Sequence, residues 1–204
     1  MSDGRTLEGY IDAVASAAPA PGGGSVVGVV GALSAALGQM VINFTDAPNE
    51  QGKAQVNDLL AALQTCQSRL MQAASEDEAA YQGYRDATNL PRGTADEKAA
   101  RKSAMQAALV AATDVPLAMA EQAARLAALL IEVAEIGSRR LASDTTLSAL
   151  LAETTLRGAL LNVRGNATLL KDTVKAQSYR EAADRLEAEG RRAAATALEI
   201  ASTI

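Results

Sequence analysis

The sequence predicts an all-α fold, a single-domain bundle of six or seven helices around a buried Gly/Ala-rich central helix. Three observations predict it. No charged residue falls between Asp12 and Asp46, although charged residues make up 21% of the chain, so this stretch is built to be surrounded. Elsewhere the apolar residues recur at spacings of three and four, the helical period, and no alternating run of strand type is present. Aromatic residues make up only 2% of the chain and Trp is absent, so the core must be made of Ala, Leu, Val and Ile, and alanine favours helix. With 204 residues and 49% hydrophobic composition the chain can bury a substantial core, and residues 1–204 fit one domain.

The elements follow in order. Thr6 can cap a first helix that carries Leu7, Tyr10, Ile11 and Val14 on one side and ends in Pro19-Ala20-Pro21-Gly22-Gly23-Gly24. Two prolines cannot sit inside a helix and three glycines free the backbone, so the uncharged helix starts near Ser25. Its valines and leucines lie all round the wheel, the pattern of a buried helix. Gly24, Gly28, Gly31, Ala35 and Gly38 form one line of small residues, along which a neighbouring helix, or the same helix of a second copy, can approach closely. A bilayer-spanning helix is the competing reading. Against it, Gly, Ala and Ser dominate, Gln39 and Asn43 interrupt the run, and no basic cluster or aromatic belt flanks it. Thr45–Gly52 reads as a loop and Lys53–Asn89 as a long amphipathic helix. Thr94 and Glu97 form a capping box for the next helix, which continues to Ile136 with a kink or split expected at Pro116 and a stop at Gly137. Ser143 is the expected cap of a helix over Asp144–Lys171, and the last helix runs from about Ser178 to Ser202 with Gly190 as its weak point.

Composition narrows the function. The net charge is −5 with a pI near 4.9, which argues against a nucleic-acid partner, since phosphates call for a basic face. One cysteine, Cys66, permits no internal disulfide, and there is no histidine. The commonest general base and zinc ligand is therefore missing, so no metal site is expected and catalysis falls to carboxylates, lysine, backbone amides or water. The N-terminal residues lack the pattern of a secretory signal, so a cytoplasmic location is expected.

Candidate site residues come from three places. The Gly22-Gly23-Gly24-Ser25 turn offers free backbone N–H groups at a helix N-terminus, a ready anion site, although it lacks the Gly-Lys-Ser/Thr ending of a P-loop. Asp77 lies between Glu76 and Glu78. On a wet face it would be ordinary; turned inward, desolvation would raise its pKa and fit it for proton transfer. Asp144 stands at a helix start, where the macrodipole stabilises a carboxylate with or without a function. Asp144, Ser148, Leu151, Thr155, Gly158, Asn162 and Asn166 then follow one side of that helix, a polar or small stripe that suits a groove better than a core.

These motifs together resemble the formiminotransferase-cyclodeaminase C-terminal domain and its stand-alone relatives, the methenyltetrahydrofolate cyclohydrolases. The resemblance runs through Pro19–Ser25, Asp77 with Tyr81, the Leu90–Arg101 run, Val115–Leu117, Gly137 with Ser143 and Asp144, and Asn162–Asn166. It implies an all-helical homodimer that binds reduced folate near its interface and acts, without a prosthetic group or metal, on the carbon bridging N5 and N10. Cyclohydrolase is favoured over cyclodeaminase because no transferase domain is attached, and a folate- or anion-binding dimer without turnover is the alternative from another class. The resemblance makes Asp77 and Asp144 the catalytic candidates, and Gly22, Gly23, Gly24, Ser25, Ser143, Asn162 and Asn166 the substrate-binding candidates. Arg157 or Arg164 is suggested, by charge alone, for the glutamate tail. Three positions depart from the family pattern, Ala20 standing for a threonine and Ser138 and Arg140 for asparagines, and Asp46–Gly52 replaces a Lys/Tyr-rich segment.

Overall fold

The computed structural model describes residues 4–203, and among these there are six α-helices and no strand. They are α1 (Leu7–Ala15), α2 (Gly23–Asn43), α3 (Glu50–Thr88), α4 (Ala95–Ile136), α5 (Ala142–Ala167) and α6 (Thr173–Ser202), with one short 3₁₀ turn at Arg139–Leu141. Helix α4 packs on α3, α5 and α6; α2 lies against α3 and α5; α6 covers α4 and α5. Leu63, Leu70, Met119, Leu126, Leu130, Leu156 and Leu160 fill the space between them without exposure.

The caps explain most of the boundaries. Thr6 accepts from the Gly9 N–H, and Thr94 and Glu97 form the expected reciprocal box. Asn49 accepts from the Gly52 N–H, so α3 begins three residues before Lys53. Asp172 accepts from the Lys175 N–H, so α6 begins at Thr173 and not at Ser178. Ser143 does not cap α5. The 3₁₀ turn feeds directly into that helix, leaving Ser143 exposed in its first turn.

Two expected weak points are continuous. Helix α4 runs through Pro116 unbroken. Helix α6 runs through Gly190, where a Cβ would stand 2.5 Å from Leu156 and 3.3 Å from Ala124, so this glycine marks a close crossing.

The line of small residues in α2 faces the bundle. A Cβ on Gly28 would meet the Leu70 carbonyl oxygen at 2.7 Å, and one on Gly31 would meet Thr155 at 2.7 Å and Leu70 at 3.0 Å. Ser34 and Ser148 exchange hydrogen bonds with each other's backbone carbonyls at 2.7 and 2.8 Å, fastening α2 to α5. The opposite face of α2 is open in the single chain, with Leu33 55% and Phe44 68% exposed. Helix α2 is long and apolar enough to cross a bilayer by composition, yet half of that window is packed inside the bundle.

Candidate active site

The first turn of α2 has no side-chain cap of its own, because Gly22 occupies the cap position. One of its free amides, that of Ser25, is met from α3. The Ser25 N–H donates to the Asp77 carboxylate, and a Cβ placed on Gly24 would overlap that carboxylate. Glycine at position 24 is thus what allows Asp77 to sit over the helix tip, where the positive end of the macrodipole favours an anion. Burial nevertheless lifts the Asp77 carboxyl above the ordinary carboxylate range; the Ser25 hydrogen bond opposes this and the neighbouring Glu78 adds to it.

Ser25 faces the other way. Its fully buried hydroxyl donates to Glu78 at 2.9 Å and shares a hydrogen bond with the Tyr10 hydroxyl at 2.9 Å. Arg5 completes this group with an ion pair to Glu78 at 3.0 Å and a position 5.5 Å from the Tyr10 ring centre. Helix α1 is therefore tied to the α2 tip on the side away from the cavity. Ser25 contributes its backbone N–H to Asp77 and its side chain to the scaffold.

Asp77 lines a cavity of about 340 Å³ that also takes in Gly22, Gly23, Gly24, Asn162 and Asn166. Pro19 and Ala20 close it from the chain before α2, and Tyr81 and Tyr84 from α3. Leu109, Ala112 and Leu169 supply the apolar side. Asp77, Tyr81 and Tyr84 follow the i, i+4, i+7 rule of one helix face, so a carboxylate and two flat rings stand in a row. The Asn166 amide donates from Nδ2 to the Ala112 carbonyl at 2.7 Å, and the Asn162 amide donates to the Gly158 carbonyl at 3.2 Å. Each amide thus spends one of its two N–H donors on backbone and keeps its oxygen for a ligand.

The structure brings Asp77, the glycine turn, Asn162 and Asn166 together. It does not bring Asp144 or Ser143 to them. Both lie at the start of α5, and the 18 residues from Asp144 to Asn162 span about 27 Å of helix. The small and polar stripe on α5 is likewise not one groove: Ser148 and Thr155 are fully buried, and Gly158 is pressed by Val27. Only its last two members, Asn162 and Asn166, reach the cavity. Ser138 and Arg140 sit at the same far end as Asp144, where the Ser138 N–H donates to Thr45 at 3.0 Å, so of the three departures only Ala20 touches the cavity. Arg164 is occupied by Asp184 at 2.8 Å and Glu187 at 2.7 Å. Arg157 is exposed beside Glu153 at 3.7 Å, and neither arginine lines the cavity.

Tyr84, Leu109, Ala112 and Leu169 belong to the site without having been singled out from sequence. Tyr84 carried a legible signal, its seven-residue spacing from Asp77. Leu169 lies beyond the end of α5 and is brought in by Gln106, which donates to its carbonyl at 3.3 Å and accepts from the Lys171 N–H at 2.7 Å. No group of three or more His, Cys, Asp and Glu side chains suited to a metal ion occurs among the described residues.

A raised carboxylate, two amides and two aromatic rings therefore line one cavity on an all-helical frame. The sequence profile of the formiminotransferase-cyclodeaminase family matches residues 6–185, and the chain belongs to that family. It is 37% identical over 191 residues to a methenyltetrahydrofolate cyclohydrolase of Methylorubrum extorquens, covering 93% of this chain and 92% of that protein. It is 31% identical to the formimidoyltransferase-cyclodeaminase of Sus scrofa, covering 96% of this chain but 36% of that longer protein. The crystal structure of formiminotetrahydrofolate cyclodeaminase from Thermotoga maritima superposes over the whole chain, with a TM-score of 0.88, 27% identity and 98% of that chain covered.

Proposed function

We propose that the chain is a methenyltetrahydrofolate cyclohydrolase, which adds water to the N5–N10 methenyl bridge to form 10-formyltetrahydrofolate. The observation that carries this reading is the single raised carboxylate, Asp77, at one end of a cavity otherwise lined by amides, aromatic rings and apolar side chains. The methenyl bridge is an amidinium-like cation, so a carboxylate both attracts it and accepts a proton from the attacking water. Water loses one proton to Asp77 as its oxygen bonds to the bridging carbon. The C–N5 bond then breaks while the carbinol becomes a formyl carbonyl on N10; N5 takes up one proton and one proton is released to solvent overall. Asn162 and Asn166 orient the ligand, and the Gly22–Gly24 amides meet its acceptor atoms.

The similarity to the Methylorubrum protein favours cyclohydrolase. The Thermotoga structure supports the second reading, closure of formimino-folate with loss of ammonia. Methenyl-folate absorbs in the near ultraviolet and its hydrolysis product does not, so the two are separated directly. Loss of that absorbance faster than the spontaneous reaction is the expected result; its appearance from formimino-folate, with ammonia release and no hydrolysis, would transfer the assignment to cyclodeaminase. Binding without either turnover would leave a folate-binding module.

The reading includes a homodimer built on the open face of α2. That helix carries no charge, and Leu33 and Phe44 stand more than half exposed, while Leu147 and Leu150 of α5 are 48% and 46% exposed. Apolar surface of this kind marks an interaction site. Sedimentation of the wild type as a dimer and of Leu33→Glu as a folded monomer is expected; a monomeric wild type would remove the dimer from the proposal. Asp144 and Ser143 enter the reading only through such a second subunit.

A further inference from the structure

Pro116 is buried inside α4 and does not break it. In an unbroken helix the amide at position 116 would donate to the Ala112 carbonyl, but proline has no N–H and its ring crowds the carbonyl four residues back. A half-buried carbonyl left in this way is open to another donor. Asn166 supplies it from α5, donating from Nδ2 to the Ala112 oxygen at 2.7 Å. Both Ala112 and Asn166 line the cavity. The carboxamide cannot turn over without giving up that bond, so its oxygen is held on the side away from Ala112, in place to accept from a ligand.

We propose that Pro116 is a positioning residue for substrate recognition: by freeing the Ala112 carbonyl it fixes the Asn166 amide as an acceptor, and the cavity thereby selects a ligand edge that carries N–H donors. The aminopyrimidinone edge of a reduced pterin has that character, so the inference deepens the folate reading and rests on it. Asn162, with one N–H donated to the Gly158 carbonyl at 3.2 Å, presents a second oxygen in the same sense. Two acceptors from one helix, one turn apart, fit a ligand with adjacent donors.

Pro116→Ala restores the helical donor to Ala112 and realigns its carbonyl with the helix axis. The expected result is a KM for methenyltetrahydrofolate raised about 3–10-fold, the size of one hydrogen bond, with kcat held within about twofold. The unfolding midpoint is expected to stay level or rise, because a mid-helix proline is unfavourable. Asn166→Asp cannot donate to Ala112 and is expected to raise KM in the same way, and the double variant should add little to either single one. A readout that needs no ligand is the proton exchange of the Asn166 side-chain amide by NMR, slow in the wild type and faster in Pro116→Ala. An unchanged KM overturns the role in recognition, and unchanged exchange overturns the positioning. If the wild type hydrolyses no methenyl-folate, the folate reading fails by itself while the exchange measurement still decides whether Pro116 holds Asn166.

Discussion

Asp77→Asn is expected to lower kcat about 100-fold or more and, at the same time, to raise the thermal midpoint at neutral pH. The two effects share one cause. Asn keeps the shape of the side chain and can still accept the Ser25 N–H, so the tip of α2 stays capped; what is lost is the group that takes the proton. The folded-state pKa of Asp77 lies above its ordinary value of 3.8. Above both pKa values, then, the folded protein carries a partly desolvated anion that the unfolded chain keeps in water. That cost is present near pH 7, shrinks as pH falls through the folded value and is gone below the unfolded value. The gain in midpoint from Asp77→Asn should therefore be largest near pH 7 and vanish near pH 3. In the wild type, kcat should fall as acid protonates the carboxylate, and at a higher pH than an ordinary aspartate would give. A variant that keeps the wild-type rate and its pH profile would remove Asp77 from the chemistry.

That a functional carboxylate is held at a cost in stability explains which parts of the site the sequence made legible. The glycine turn and Asp77 each break a local rule: Gly22–Gly24 start a helix with no side-chain cap, and Asp77 faces inward from a run of three acids. What supplies the reason for both lies 53 residues along the chain, Asp77 from α3 closing the α2 tip beside Gly24. Neither half explains itself alone. The α5 stripe misled for the opposite reason. Ser148 and Thr155 look like groove residues because they are polar, but their hydroxyls are satisfied by backbone carbonyls, Thr155 by that of Leu151 at 2.7 Å, which lets them pack like small apolar side chains against α2.

Proline at 116 shows a third case. A proline inside a helical pattern is read as a kink or split because sequence shows only the lost donor; the structure shows a continuous helix with the acceptor re-paired by Asn166 across the α4–α5 contact. The family motifs around Val115–Leu117 and Asn162–Asn166 thus form one physical unit, although 50 residues separate Pro116 from Asn166. The helix starts at Glu50 and Thr173 were misplaced for a simpler reason. Their caps, Asn49 and Asp172, precede stretches with little apolar periodicity, and capping chemistry decided where periodicity was silent.

Gly28→Ala and Gly24→Ala should give opposite phenotypes from neighbouring turns of α2. Each replaces glycine by the best helix former, a gain of about 1 kcal/mol in an exposed helix. At Gly28 the added methyl would stand 2.7 Å from the Leu70 carbonyl oxygen, 2.8 Å from the Ala74 Cβ and 3.0 Å from the Ala74 Cα. Backbone is on the far side of that contact, so no rotamer change can relieve it, and α2 must move away from α3. Overpacking of this kind costs about 1–3 kcal/mol. At Gly24 the three atoms nearest to the methyl all belong to the Asp77 carboxylate, the end of a side chain that can swing aside. The fold should keep its stability, or gain, while the carboxylate leaves its place over the α2 tip and turnover drops about as far as in Asp77→Asn. Urea unfolding and the methenyl-folate assay on the two variants separate these effects. If Gly24→Ala keeps full activity, Asp77 does not work from the position it holds over α2; if Gly28→Ala is as stable as the wild type, the close crossing of α2 and α3 is not what the glycine line is for.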